Sequence, residues 1–208
     1  MKRKLLEKII KDTESNPYIQ WKDETNLEKI INDPVYSTYL FNKDKNHGYF
    51  SLLNNLVSAI DGIVVEVGNR EGLGIISMYD ALKENQKLYS TDIISDIRFV
   101  PTKISEDPRV YILNDFNSLD EERVALEFEP KSISLAFFDT VHTYEQISEE
   151  YKIWEPYLKD DCVILIDDIR DVQSDRTKWK FHQELEWNNK YDVTDWAHNP
   201  SGFGVYLK

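Results

Sequence analysis

The sequence predicts an α/β protein: an open, doubly wound and mostly parallel seven-stranded sheet with an antiparallel last strand, under a helical cap at the amino terminus. Three observations carry that prediction. Short apolar runs end abruptly in acid, residues 135–138 before Asp139 and residues 162–166 before Asp167 and Asp168. A strand covered on both faces is continuously apolar instead of alternating, so these runs read as buried parallel strands. Between them Tyr144, Ile147, Tyr151, Trp154 and Leu158 recur at steps of three and four, the stripe of a helix lying on a sheet. Thr143 with Gln146 makes a capping box at its start. Finally, an apolar run at residues 63–67 turns through Gly68, Gly72 and Gly74 into a helix over residues 75–84, which lets backbone approach a nucleotide-like ligand closely. Taken alone, that glycine spacing equally describes a tight turn.

The strand, helix, strand unit predicts a right-handed crossover that puts both strand ends on one edge of the sheet. Asp139, Asp167 and Asp168 then meet at the carboxyl ends, where open α/β sheets bind ligands. Three close carboxylates repel unless something positive sits among them or a proton is taken up. A divalent cation meets that need, and an all-oxygen donor set favours Mg, Ca or Mn over zinc. His142 lies just beyond Asp139; with an ordinary pKa of about 6.5 it can accept a proton near neutrality. Any one of these aspartates, on its own, reads as a helix cap.

Composition narrows the field. A chain of 208 residues, 41% hydrophobic and 30% charged, is that of a soluble globular domain with ample core. The net charge of −13 argues against nucleic acid as a partner, because a backbone binder must supply a basic surface. Cys162, the only cysteine, falls in an expected core strand and reads as a small buried hydrophobe, with no disulfide framework. No apolar run approaches membrane-spanning length, and MKRKLLEKIIKD reads as an amphipathic helix without the h-region of a signal peptide. A cytoplasmic protein without a membrane partner is expected.

In chain order, residues 1–48 are polar and carry two helical stripes, Leu5, Leu6, Ile9, Ile10 and then Leu27, Ile30, Ile31. Short helices need something to pack on, so this segment is read as a cap over the domain of residues 49–208, either a lid over a substrate or a contact between copies in a homo-oligomer. Leu52, Leu53, Leu56, Val57 and Ile60 mark a helix leading to a turn at Asp61-Gly62. The strand at residues 88–91 ends in Asp92, where a βαβ fold holds ribose hydroxyls and where a turn or cap residue is the competing reading. The strand at residues 110–113 ends in Asn114 and Asp115, polar groups suited to an adenine edge or equally to a turn. Residues 169–177 are charged and turn-like; a helix follows at residues 179–187, and residues 191–196 and 203–207 form a hairpin-like pair. His198 between them reads as an exposed loop residue. Trp179, Trp187 and Trp196 read as packing or as a pocket wall.

Together these residues resemble the class I S-adenosylmethionine-dependent methyltransferases, specifically the metal-dependent O-methyltransferases related to catechol O-methyltransferase and the macrolide-sugar methyltransferases. The resemblance covers about residues 50–208. It rests on EVGNREGLG at residues 66–74, on STDI at residues 90–93, on FFDTVHTYE at residues 137–145 and on LIDDI at residues 165–169. It implies a Rossmann-like fold, S-adenosylmethionine and a divalent cation, Mg the first choice, as cofactors, and a small-molecule or sugar hydroxyl as acceptor. It also implies roles: Asp139, Asp167 and Asp168 on the metal; His142 as base; Glu66 and Gly68 on the amino-acid end of the donor; Asp92 on the ribose; Asn114 or Asp115 on the adenine side; and Asn69, Gly72 and Asp139 among the donor-binding residues. Gly74 departs from the family pattern, which has serine or threonine there. Two competing readings are a nicotinamide-dependent oxidoreductase using Gly68, Gly72, Gly74 and Asp92, which leaves the acids idle, and a methyltransferase-like binding module without catalysis.

Overall fold

In the computed structural model the apolar runs become strands of one sheet: β1 (Ile63–Val67), β2 (Lys87–Thr91), β3 (Val110–Leu113), β4 (Ile133–Phe138), β5 (Leu158–Asp167), β6 (Lys190–Asp192) and β7 (Phe203–Leu207). The structure describes residues 1–19, 21–34, 37, 48–94, 97–170, 178–187, 189–197 and 201–208. Strand order is β3-β2-β1-β4-β5-β7-β6. The first five strands are parallel, and β7 runs antiparallel between β5 and β6. The sheet predicted from sequence is therefore the sheet observed.

The helices are α1 (Arg3–Ser15), α2 (Glu28–Ile31), α3 (Tyr49–Ala59), α4 (Leu73–Ala81), α5 (Thr102–Ser105), α6 (Glu121–Glu127), α7 (Tyr144–Trp154), α8 (Trp179–Glu184) and α9 (Thr194–Ala197). Successive strand residues feed opposite layers. Val64, Leu135, Phe137, Val163 and Leu165 join α1 to α4 on one face. Val65, Ala136, Phe138, Ile164 and Ile166 join α6 to α8 on the other. Both faces are covered, which is why the strands read as unbroken apolar runs. Trp154 centres the second layer, its ring 5.3 Å from Phe128 and 6.1 Å from Phe138, with its indole N–H donated to the Ser118 carbonyl at 3.0 Å. In the amino-terminal segment Leu6, Ile9, Leu27 and Ile30 are buried in the first layer, whereas Leu5 and Ile31 are exposed.

Several element ends differ from the sequence expectation, each for a local reason. The helix expected through Leu158 stops at Trp154, because Pro156 has no N–H to extend the ladder; a 3-10 turn (Glu155–Tyr157) follows and Leu158 opens β5. The helix expected to Glu84 stops at Ala81, where Gln86 accepts from Lys83 N and donates to the Val57 and Ile60 carbonyls. The helix expected to Trp187 stops at Glu184, and Lys190 Nζ collects the carbonyls of His182, Gln183 and Leu185 at 2.8–3.0 Å. The arm expected at residues 191–196 is a strand only to Asp192, whose carboxylate then accepts from Thr194 N and starts α9. Thr143 caps α7 by accepting from Gln146 N, but the Gln146 amide turns to Glu150, so only half of the capping box forms. Among the described residues no helix is long and apolar enough to cross a membrane. Residues 171–177 and His198 lie outside the described residues.

Candidate active site

β1 ends in a turn built on close approach. Gly68 has φ +91°, and a Cβ there would stand 2.0 Å from the Asp139 carbonyl oxygen. The tips of β1 and β4 are thus in backbone contact, tied further by Asp139 N donating to the Val67 carbonyl at 2.8 Å. Gly72, at φ +90°, opens α4 against Val100. Gly74 leaves room for Glu66: a Cβ at residue 74 would fall 1.8 Å from Glu66 Oε1. Glu66 is buried, accepts from the Ser90 hydroxyl at 2.6 Å and is pushed by burial up to about 8.

Asp92, at the tip of β2, braces the turn. One carboxylate oxygen accepts from Asn69 N and Arg70 N at 3.0 and 2.9 Å; the other accepts from Ile94 N at 3.0 Å. Asn69 is buried, and its side-chain amide atoms meet no hydrogen-bond partner among the described residues. A cavity of about 390 Å³ opens beside this turn. Gly68, Arg70 and Asp92 line one wall, Phe116 to Leu119 another, and Asp139 to His142 with Gln146 complete it. Asn114 and Asp115, expected at its adenine side, are exposed and stand outside the lining. Asp115 adopts φ +56°, which turns the chain so that the following residues form the wall.

The tips of β4 and β5 bring the acids together. His142 Nε2 lies 2.7 Å from Asp168 Oδ2. Asp139, His142 and Asp168 each offer a ligand atom, all within 4.8 Å of one another. The imidazole expected as a base therefore stands inside this donor group. The Asp167 carboxylate, expected as a metal ligand, stands outside it, with Oδ1 accepting from Asp168 N at 2.9 Å. Burial pushes Asp139 up to about 6 against the opposing charge of Lys178. Asp167 is raised well above the usual range by burial and then by Asp139 and Asp168. Burial acts on Asp168 in the same direction, but the hydrogen bond from His142 and the nearby positive charges outweigh it, and this carboxyl lies below its ordinary value.

Three residues here escaped the sequence reading. Lys178 is fully buried and donates from Nζ to the Asp167 carbonyl at 3.0 Å, bringing a positive charge to the acids from within the chain. Its position after a charged, turn-like stretch gave no sign of burial. Tyr49 opens α3 with its ring stacked on Phe203 at 4.9 Å, and burial followed by the charges of Asp167, Asp139 and Asp168 raises its hydroxyl well above the ordinary value. Glu150 is buried on the face of α7 shared with Ile147 and Trp154. A glutamate three residues after one core position and four before another was the available signal.

A sheet of this order, with a glycine turn at the tip of β1 and an acid at the tip of β2, defines the class I S-adenosylmethionine-dependent methyltransferase architecture. Residues 65–169, half of the chain, match the methyltransferase-domain family, and the chain belongs to that family. No curated protein sequence matches it. Solved structures give the same fold. An O-methyltransferase from Bacillus cereus in complex with SAH aligns over 91% of this chain and 93% of its own, at 13% identity and TM-score 0.65. The O-methyltransferase TomG from Streptomyces achromogenes, involved in tomaymycin synthesis and solved with SAM, aligns over 91% and 92%, at 16% identity and TM-score 0.64. A Corynebacterium glutamicum protein aligns over 91% and 92%, at 16% identity and TM-score 0.66. At such identities the likeness is one of fold. Family membership displaces the nicotinamide-dependent reading of the glycine turn.

Proposed function

We propose that the chain moves a methyl group from S-adenosylmethionine to a hydroxyl of a small-molecule or sugar acceptor, in the cytoplasm, with His142 as the base. The observation that carries this reading is that Asp139 and His142 belong at once to the 390 Å³ cavity and to the acid cluster, so donor and acceptor would meet across them. With its Nε2–H given to Asp168, His142 keeps the Nδ1 lone pair for the acceptor proton, and the Asp168 carboxylate stabilises the imidazolium that forms. The acceptor oxygen bonds to the methyl carbon as the carbon–sulfur bond breaks, leaving S-adenosylhomocysteine. Glu66 and the Gly68 turn would hold the amino-acid end of the donor and Asp92 the ribose.

The donor set fits a divalent ion, since ligand atoms of the Asp139 and Asp168 carboxylates lie within 4.8 Å of one another, with His142 beside them. Asp139 and Asp168 would hold it, backed by Asp167, with Mg the first choice for carboxylate oxygens. Bound there, such an ion would polarise the acceptor hydroxyl and lower its pKa. Lys178 already brings one positive charge to these acids, so charge balance alone does not demand the ion.

Calorimetry with S-adenosylhomocysteine tests the donor, and S-adenosylhomocysteine release over a panel of phenol and sugar acceptors, with EDTA or Mg, tests the reaction. His142→Ala is expected to keep donor affinity and lose transfer by roughly 10²–10⁴. A wild-type chain that binds no S-adenosylhomocysteine overturns the proposal.

A further inference from the structure

Glu150 is fully buried, and among the described residues its carboxylate is satisfied by neutral donors alone. Ser118 donates its hydroxyl to Oε1 at 2.6 Å, Thr140 donates its hydroxyl to Oε2 at 2.8 Å, and the Gln146 amide donates to Oε1 at 2.8 Å. These three come from three places: the segment after β3, the turn after β4 and the first turn of α7. All three line the cavity beside Asp92. The carbonyl of Ser118 is held separately by Trp154 at 3.0 Å. A single side chain on α7 therefore ties the Phe116 to Leu119 wall of the cavity to the Asp139 to His142 wall.

The chemistry of that fixation has a direction. A hydroxyl has one hydrogen to give and two lone pairs to offer, whereas an ionised carboxylate only accepts. With their hydrogens committed to Glu150, Ser118 and Thr140 can present only lone pairs to a ligand. We propose that Glu150 is a positioning residue which turns these two hydroxyls into acceptors and so makes the cavity select a donor whose base carries an amino group at its edge over one that carries a carbonyl. The inference rests on the donor reading above and adds to it a determinant of which base is admitted. Sites built to hydrogen-bond a particular group reject analogues lacking it, because their buried polar atoms are then left unpaired.

The test compares S-adenosylhomocysteine with S-inosylhomocysteine, in which a ring carbonyl replaces the amino group, by calorimetry on the whole chain. Wild type is expected to prefer the adenosyl ligand by roughly tenfold or more. Glu150→Gln supplies an NH₂ that donates to one hydroxyl and frees that hydroxyl's hydrogen for the cavity, so the preference is expected to fall about tenfold toward parity, on the same scale. A purely structural role would weaken both ligands together and leave the ratio alone. Glu150→Asp, which keeps an acceptor-only group, is expected to restore much of the ratio. Should Glu150→Gln not fold, Thr140→Val and Ser118→Ala remove one acceptor each without touching the buried carboxylate, and each is expected to lower the ratio. If wild type binds neither ligand, the donor reading and this inference fall together. If wild type prefers the adenosyl ligand but the ratio survives in every folded variant, the Glu150 inference alone falls.

Discussion

Glu66 and Gly74 are understood as a pair. Position 74 is a glycine, and the space a side chain would take there is filled by the Glu66 carboxyl, 1.8 Å from where a Cβ would stand. That carboxyl is buried and raised from 4.5 to about 8. Between those two values the folded chain keeps a proton that the unfolded chain has lost, so this group's contribution to stability declines as pH rises through the window. Glu66→Gln carries no such proton and can still accept from Ser90. The melting temperature of wild type relative to Glu66→Gln is therefore expected to fall between pH 5 and pH 8 by at least a few degrees, at about 2–4 °C per kcal/mol for a chain of this size. Thermal melts of both proteins across that range check it; parallel curves would mean that Glu66 is ionised in the fold. At this scale the sequence was legible where chemistry and spacing coincide: that Asp139, Asp168 and His142 come together could be read from it. It was not legible where a side chain's role depends on what lies across the sheet. Nothing near Lys178 in sequence announces that it points inward beneath the acids.

Elements were legible in proportion to how much of each is buried. β1 stands where its apolar run lies, because a strand covered on both faces leaves no polar alternation to blur its ends. The short helices α5 and α6 carried too few turns for a stripe; α6 is announced only by Asp120, whose carboxylate accepts from Arg123 N at 3.0 Å. The turns divide by what a side chain would strike. Gly68→Ala would drive a Cβ into the Asp139 carbonyl, backbone against backbone, at φ +91°. Gly62→Ala, at φ +105°, would meet only the Ser134 hydroxyl and the Lys159 ammonium, which can move. The first is expected to cost more than the 1–3 kcal/mol of left-handed strain alone and to abolish S-adenosylhomocysteine binding. The second is expected to cost about that strain and leave binding intact. Urea denaturation with calorimetry on both variants distinguishes them; equal losses would mean that the β1–β4 contact yields easily.

At the scale of the whole molecule the net charge of −13 acts as a distributed self-repulsion, strongest at low ionic strength. Raising KCl from about 20 to about 200 mM shortens the screening length to roughly 8 Å and is expected to raise the melting temperature; a flat or falling curve would mean that local ion pairs outweigh the overall field. The sheet order has another bearing. β7 comes last along the chain yet lies between β5 and β6, and β6 pairs with no other strand among those described. Until it arrives, the outer edge of β5 is open and β6 has nothing to bond to. The strand that completes the hydrogen-bonded wall is thus made after both of the strands it joins, so during synthesis the nascent sheet has a slot awaiting β7, open to any extended peptide that reaches it first.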